Sequence, residues 1–514
     1  MRQMSLFDGS TPYIIDKPIR LIEFFAGYGS QSLALKYLGA NFEHHKISEW
    51  AIPSIIAYKD MHFFDDNTDY SESLTKEQVI DFLTERTISA NYNEPVPRET
   101  LARYTEDKLR AIYNSMIATN NLGSVCTVKA KDLEMVDNDK YCYMWSYSFP
   151  CQDLSLAGQG KGMQKGSGTR SGLLWEIERL LYEAQELNCL PNVLVMENVP
   201  DVLGQKNISS FADWIKVLDD MGYKSEWKVV NAKDHQCPQN RDRCFMVSVL
   251  GDYYYSFPTK SKLAYTVNDL LEKNVDESYF LSSKQMVYAF DCNRVCDNTK
   301  RGDLAKRKVN PQIAKTISCR GATDQRADIT NFVVGSNEKE YRLGEIRDIV
   351  NAYRKKRVLK WRNRPQTESD ELLKREVCNQ ALRKKLVRKG DVIDCSFSNS
   401  RLKELKQGFI RKKNGQNNKL ANTITTGAGN FGVCVSVEDI LRIRNYTEKE
   451  CFRLMGVSNS DFEKVSQRQT SGKLYHLAGD SIVTTVLMGI FGTMLNIDYN
   501  KKISELMRGI VNDI

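Results

Sequence analysis

The sequence holds 514 residues, with 73 Lys plus Arg against 65 Asp plus Glu, a formal net charge of +8. Its 41% hydrophobic and 27% charged fractions exclude disordered, collagenous and disulfide-scaffold classes, and the length predicts two or more domains. No apolar run reaches about 18 residues and no apolar signal segment opens the chain, so the thirteen irregularly spaced Cys read as reduced thiols of a cytosolic protein.

In chain order, Pro18 to Phe25 is an apolar strand that meets a Gly-rich turn, followed by a helix from Ser32 to Leu38 stopped by Gly39. Phe42 to Ser48 is a second strand, and Ala51 to Met61 a helix. Strands follow at Tyr141 to Ser148, Asn192 to Met196 and Arg243 to Val249, with helices at Gly172 to Leu187 and Phe211 to Met221. Strand–helix alternation of this kind predicts a doubly wound α/β sheet. Residues 65–125 interrupt it with a polar insertion containing helical stretches at Thr75 to Glu85 and Glu99 to Ala118, read as an elaborated surface connection.

From about residue 259 the regularity fades. Asp291 to Leu420 holds 33 basic and 16 acidic residues, a net +17, while the rest holds 40 and 49, a net −9. A mildly acidic body thus carries one basic segment, with clusters at Arg354 to Arg357, Arg383 to Lys385 and Arg411 to Lys413. An excess this long predicts a polyanion-binding domain. Two short stretches, Pro311 to Ala322 and Lys419 to Ala428, share an Ala-x-Thr-Ile pattern running into Gly-Ala, a weak internal echo.

The turn Phe25-Ala-Gly-Tyr-Gly-Ser30 follows a buried strand and opens a helix, a setting that lets backbone approach a nucleoside cofactor closely. The next strand ends at Glu49-Trp50, an acid able to accept two ribose hydroxyls beside an aromatic able to cover an adenine. No third Gly supplies the dinucleotide spacing, which disfavours NAD. Further on, a strand runs into Phe149-Pro-Cys151-Gln152, so a thiol sits at a strand end, where α/β sheets place their ligands. Five glycines between Gly158 and Gly168 follow it, a composition that reads as a loop able to close over a substrate. Such a Cys reads as a nucleophile rather than inert packing.

Glu197 ends the apolar strand Val193-Leu-Val-Met. A carboxyl there is costly to bury unless it is functional or paired. Gln239-Asn-Arg241-Asp-Arg243 brings two guanidiniums to the same edge; the structural alternative is an ion pair of these Arg with Glu197. Metal binding is not supported. Cys292 and Cys296 lack a second pair, and His44-His45 lie in a strand context.

Together these motifs resemble the DNA (cytosine-5)-methyltransferases of the bacterial and phage type. The likeness runs from about Arg20 to Phe491, in motif order. The turn at Phe25 to Ser30, Phe149-Pro-Cys-Gln152, Glu197-Asn-Val199 and Gln239-Asn-Arg-Asp-Arg243 match the family's cofactor, nucleophile, carboxyl and arginine motifs. Arg444 to Gly456 resembles its helix organising the target domain, and Ala478-Gly-Asp-Ser-Ile-Val483 the motif returning to the cofactor pocket. Asp480 stands where the family often has Asn, and Ser30 where it often has Gly.

The resemblance implies a Rossmann-like S-adenosylmethionine-dependent methyltransferase domain plus a smaller, basic, β-containing target recognition domain. The expected boundaries are 1–258 for the catalytic part, 259–443 for target recognition and 444–514 for the returning part. It implies S-adenosyl-L-methionine as cofactor, S-adenosyl-L-homocysteine as product, and no metal. The cofactor residues implied are Phe25, Ala26, Gly27, Gly29, Ser30, Glu49, Trp50, Asp132, Leu133, Pro150 and Ser481. Leu173 would pack on the adenine, a role as a core helix residue being the equal alternative.

Of the catalytic groups, Cys151 would add to carbon 6 of cytosine and Glu197 would share a proton with ring nitrogen 3. Arg243 would bind the carbonyl at position 2, and Arg241 would support the charge near the thiol. The target base would have to leave the duplex stack, with Gln152 and Ser155 near the loop that would fill the gap. Expected partners are double-stranded DNA and a cognate restriction endonuclease acting separately. No membrane is expected, and the protein should be monomeric in the cytoplasm of a bacterial or phage-infected cell. A transfer-RNA methyltransferase and a silent DNA-binding protein on the same scaffold are the alternatives.

Overall fold

The computed structural model describes residues 11–150, 163–165, 170–280 and 443–514, with short pieces at 308–309, 313–315, 333–334 and 341–342. Cys151, Gln152, Ser155, most of the Gly-rich run, the Cys292/Cys296 pair, the basic clusters and most of the internal echo lie outside the described residues. Those described up to Leu271 and from Glu448 onward form one compact unit. Those between Glu272 and Lys315 and between Ala322 and Thr447 form a second.

The first unit is built on a six-stranded sheet. Its strands are β1 (Ile19–Phe24), β2 (Phe42–Ser48), β3 (Cys142–Tyr147), β4 (Val193–Asn198), β5 (Tyr223–Asn231) and β6 (Asp242–Leu250). The spatial order is β2-β1-β3-β4-β6-β5. The first four strands run parallel and β6 runs antiparallel to both its neighbours. Helices α1 (Ser30–Leu38), α2 (Ile52–His62), α6 (Leu174–Glu186) and α7 (Ile208–Asp220) alternate with these strands. The insertion contributes α3 (Lys76–Glu85), α4 (Arg98–Ala102) and α5 (Glu106–Ala118). This is the doubly wound, Rossmann-like architecture expected from the strand–helix alternation.

Every residue of β3 and β4 is buried, as central strands covered on both faces must be. On one face Phe24, Trp145 and Tyr147 meet Leu174, Ile177, Phe211 and Trp214. Each such fully buried large side chain contributes on the order of 2–3 kcal/mol. The chain returns from Glu448 as α8 (Glu448–Arg453), α9 (Asn459–Ser466), α10 (Ser471–Asp480), α11 (Thr484–Met494) and α12 (Tyr499–Asn512), with α11 packed on α1.

Two expectations change. Strand β5 was not anticipated: it is an edge strand with exposed Lys224, Lys228 and Val229, so its apolar alternation is broken. The stretch Glu99 to Ala118 is two helices rather than one, because Thr105 caps α5 by accepting from the Lys108 amide. The span Ser471–Met494 is, by length and composition only, long and apolar enough to cross a membrane. It bends between α10 and α11, however, and 89% of its apolar window is buried in the protein, which marks it as core.

The first unit also extends past 258, to Leu271. Val267 and Leu270 are buried, and the fully buried Arg453 donates from Nη1 to the Leu270 carbonyl at 2.9 Å. The second unit contains two described antiparallel pairs, Lys308–Val309 with Tyr341–Arg342 and Val333–Val334 with Ile443–Arg444.

Candidate active site

The register of the sheet brings several of the predicted site residues to one end of the strands. Phe24 pairs with Ser48 and with Tyr147, and Tyr147 with Met196, so the turn after β1, Glu49-Trp50, Ser148 to Pro150 and Glu197 all leave the same end. Because β6 is antiparallel, its start reaches that end too: Asn198 pairs with Cys244, beside Arg243.

The turn after β1 is held open by backbone geometry. Phe25 has a left-handed φ of 57°, and its amide donates to the Ser48 carbonyl at 2.8 Å. Gly29, at φ 81°, precedes α1, and a Cβ there would sit 2.3 Å from His62 Nε2 and 2.7 Å from Tyr58 Cε2. Gly is therefore required by both conformation and space. Ala26 and Ser30 are buried behind the turn. Gly27 is the opposite case: a Cβ added there meets nothing within 4 Å. Open space in front of this backbone, beside the N-terminus of α1, fits a nucleoside cofactor.

Beneath the turn lies a buried polar cluster. Glu23 accepts from Ser32 Oγ and Tyr58 Oη, each at 2.5 Å, and His44 Nδ1 lies 3.0 Å from Tyr58 Oη. Burial pushes the Glu23 carboxyl up to about 7 against these hydrogen bonds. His44 and His45 are accordingly structural groups, His45 Nε2 lying 2.8 Å from the Leu133 carbonyl.

Glu49 is buried, and its two oxygens accept from the Gly27 amide at 2.9 Å and the Ala51 amide at 2.8 Å. Burial raises its pKa to about 7, opposed by these amides and assisted by the charge of Asp480. The carboxyl group is thus tied both to the turn after β1 and to the residue that opens α2. Trp50 is half-buried beside it.

At the end of β4, Glu197 is 6% exposed and has two partners. Arg243 Nε lies 3.0 Å from Oε1, and Ser148 Oγ donates to Oε2 at 2.6 Å. Asn198 Nδ2 donates to the Phe149 carbonyl at 2.9 Å, and Ser171 Oγ to the Pro150 carbonyl at 2.7 Å. The three residues before Cys151 are therefore fixed to the end of β4 and the start of α6. Sequence reasoning did not single out Ser148, Asn198 or Ser171. Asn198 lies inside the motif Glu197-Asn-Val199, and Ser148 closes the strand that runs into Phe149-Pro-Cys151, which was their available signal.

Arg241 reaches the returning motif. It is buried, and its Nη2 donates to the carbonyls of Gly479 at 2.9 Å and Ser481 at 2.7 Å. The ion pair foreseen for both arginines forms with Arg243, while Arg241 caps the C-terminus of α10 and anchors the returning motif. Ser481 Oγ donates to the Leu477 carbonyl at 2.6 Å. Asp132 accepts from the Lys129 amide at 3.0 Å in a local turn, and the Leu133 side chain is fully buried in the core. Leu173 is partly buried against that same core. No group of three or more His, Cys, Asp or Glu suited to a metal occurs among the described residues.

Comparison with known proteins now gives this geometry a family. A profile of C-5 cytosine-specific DNA methylases matches residues 100–496. The orphan methyltransferase M.SssI of Spiroplasma monobiae is 37% identical over 272 residues, covering 52% of this chain and 68% of that protein. The type II methyltransferase M2.ScrFI of Lactococcus lactis subsp. cremoris is 32% identical over 317 residues, covering 57% of this chain and 83% of that protein. Among solved structures, the Entamoeba histolytica methyltransferase EhMeth superposes with a TM-score of 0.50 over 94% of this chain and 99% of that one. At 13% identity this likeness concerns the fold alone. The chain belongs to the C-5 cytosine-specific DNA methylase family and is a DNA cytosine-5 methyltransferase. The family uses S-adenosylmethionine and acts on DNA.

Proposed function

We propose that this protein methylates carbon 5 of cytosine within a specific duplex DNA sequence, by covalent addition of Cys151 to carbon 6 of a flipped-out base. The observation that carries this reading is the clamped Glu197, held by Ser148 and Arg243 at the edge where the strand before Cys151 ends.

Carbon 5 of cytosine is too weakly nucleophilic to take a methyl group directly. Addition of the Cys151 thiolate at carbon 6 makes an enamine-like ring whose carbon 5 is nucleophilic. Glu197 shares a proton with ring nitrogen 3 as negative charge builds, and Arg243 binds the carbonyl at position 2. Removal of the proton at carbon 5 then lets Cys151 leave. Phe25, Ala26, Gly27, Gly29, Ser30, Glu49, Trp50, Pro150 and Ser481 would hold S-adenosylmethionine, which supplies an electrophilic methyl group when bound. Asp132 and Leu133 complete that set.

In this reading the second unit, within residues 272–447, is the target recognition domain, and residues near Gly321 to Arg326 read base edges. The enzyme works as a cytoplasmic monomer, with any cognate restriction endonuclease acting separately. Methyl transfer to duplex DNA and to transfer RNA should be compared for the wild type and Cys151→Ala. Transfer to DNA that is abolished in the variant, with DNA binding retained, is expected. Transfer to transfer RNA alone, or residual turnover by Cys151→Ala, would overturn the reading.

A further inference from the structure

The insertion between α2 and β3 is more than a surface connection. Its helices α3, α4 and α5 bury Val79, Ile80, Leu83, Leu101, Leu109, Ile112 and Met116 together with Ile52 and Ile55 of α2, a core separate from that under the sheet. This helical layer is hydrogen-bonded into the end of β2 at two places. At the first, the Ser89 amide donates to the Trp50 carbonyl at 2.7 Å, and the Ile52 amide donates to the Ser89 carbonyl at 2.8 Å.

At the second, residues 120–123 run alongside β2 as a parallel bridge, with the Leu122 amide donating to the Ile47 carbonyl at 2.9 Å. There Asn121, 3% exposed, acts through its side chain. Its Oδ1 accepts from the Glu49 amide at 3.2 Å and the Gly123 amide at 2.9 Å, and its Nδ2 donates to the Glu49 carbonyl at 3.0 Å. One buried amide group therefore satisfies both backbone polar groups of Glu49. Gly123 makes this possible: at φ 81°, a Cβ there would lie 2.3 Å from the Arg86 carbonyl.

The same insertion also touches α10. Tyr92, in the left-handed region at φ 64°, stacks on His476 with ring centroids 4.1 Å apart and planes 12° from parallel. His476 Nδ1 lies 3.1 Å from Asp480 Oδ2 in α10, one residue before Ser481. A non-Gly residue in that region requires surroundings that enforce it, and such residues concentrate at functional sites.

We propose that the insertion is part of the cofactor site. Ser89 and Asn121 are positioning residues for Glu49 and Trp50, and Tyr92 ties that wall of the pocket to the helix ending at Asp480 and Ser481. The inference rests on the cofactor reading of Glu49, Trp50 and Ser481 given above. The insertion fixes the spacing between the two walls, so disturbing it weakens the hold on the ligand without touching the DNA-binding surface.

The test is calorimetric binding of S-adenosylhomocysteine to the full-length protein, with melting temperature and duplex DNA affinity measured in parallel. Asn121→Ala should weaken product binding about tenfold, the effect of removing one buried hydrogen-bonding group that orients a ligand-holding neighbour. Tyr92→Ala should weaken it about fivefold, whereas Tyr92→Phe, which keeps the ring, should restore wild-type binding. DNA affinity should stay within about twofold in all of these, and Arg98→Ala, in an exposed ion pair of the insertion, should bind product as the wild type does.

Glu49→Ala separates the two levels. If it binds product as tightly as wild type, the cofactor reading fails and the proposal with it. If it weakens binding while Asn121→Ala and Tyr92→Ala do not, the site stands and the role of the insertion is refuted. Equal weakening by Arg98→Ala, or loss of DNA affinity alongside product affinity, would also refute it. Should Asn121→Ala fail to fold, the contrast between Tyr92→Ala and Tyr92→Phe decides.

Discussion

Glu197 has a cation on one oxygen and a hydroxyl on the other, at the end of a strand buried along its whole length. Its need for a partner was legible in the sequence, because a carboxyl closing an apolar strand is costly to bury alone. Its hydroxyl partner was not legible, since nothing in Ser148 by itself says which way the hydroxyl turns. Glu197→Gln keeps the shape but removes both the charge facing Arg243 and the exchangeable proton. The single-turnover methylation rate should fall by about a hundredfold or more, with S-adenosylhomocysteine affinity within about twofold of wild type. A variant that lost cofactor affinity but kept its rate would show that Glu197 serves the wrong ligand. Arg241 teaches the complementary lesson. It shares a motif with Arg243, yet it reaches the carbonyls of Gly479 and Ser481, far along the chain, and no local pattern encodes such a contact.

At the scale of elements, α9 holds α1 in place through Asp461. Lys36 Nζ donates to its Oδ1 and Tyr37 Oη to its Oδ2, each at 2.8 Å. Burial alone would raise the Asp461 pKa, but the hydrogen bond and charge of Lys36, with Tyr37 and Ser458, hold it down to about 2. A depressed carboxyl contributes stability that is fully present above its unfolded value of 3.8 and is lost as the pH falls through 2. Asp461→Asn should therefore cost about 2 kcal/mol at neutral pH and progressively less between pH 4 and 2, measured by denaturant unfolding. A cost independent of pH would mean that packing, not charge, makes the link. Arg468 makes a similar tie to Asp60 on α2. Helix α1 was readable from the Gly-rich turn before it and Gly39 after it, whereas α9 to α12 were not foreseen. Strand β5 was not readable either, because an edge strand need not alternate. The break before α5 was missed because Thr105 sits inside a run of good helix formers and stops it only through its side chain.

For the whole molecule, the charge is divided between an acidic body and the basic stretch from Asp291 to Leu420. If that stretch meets the phosphate backbone, neutralising Arg354 to Arg357 should weaken duplex binding. It should also flatten the dependence of log affinity on log salt by about 0.9 for each phosphate no longer neutralised. Binding measured across a salt series checks this, and an unchanged slope would place the cluster away from DNA. The sequence alone determined the chemistry-bearing residues, their order and the alternating elements, because a strand end and a Gly-rich turn are local facts that composition and spacing record. Only the tertiary structure decided which of them meet. Parallel register sets four strand ends on one edge, the antiparallel β6 turns Arg243 back to Glu197, Arg241 is drawn to the returning helix, and Asn121 braces Glu49 from within an insertion. Those pairings join residues distant in sequence, and they are fixed by burial and by the need to satisfy every buried polar group, which no local pattern carries.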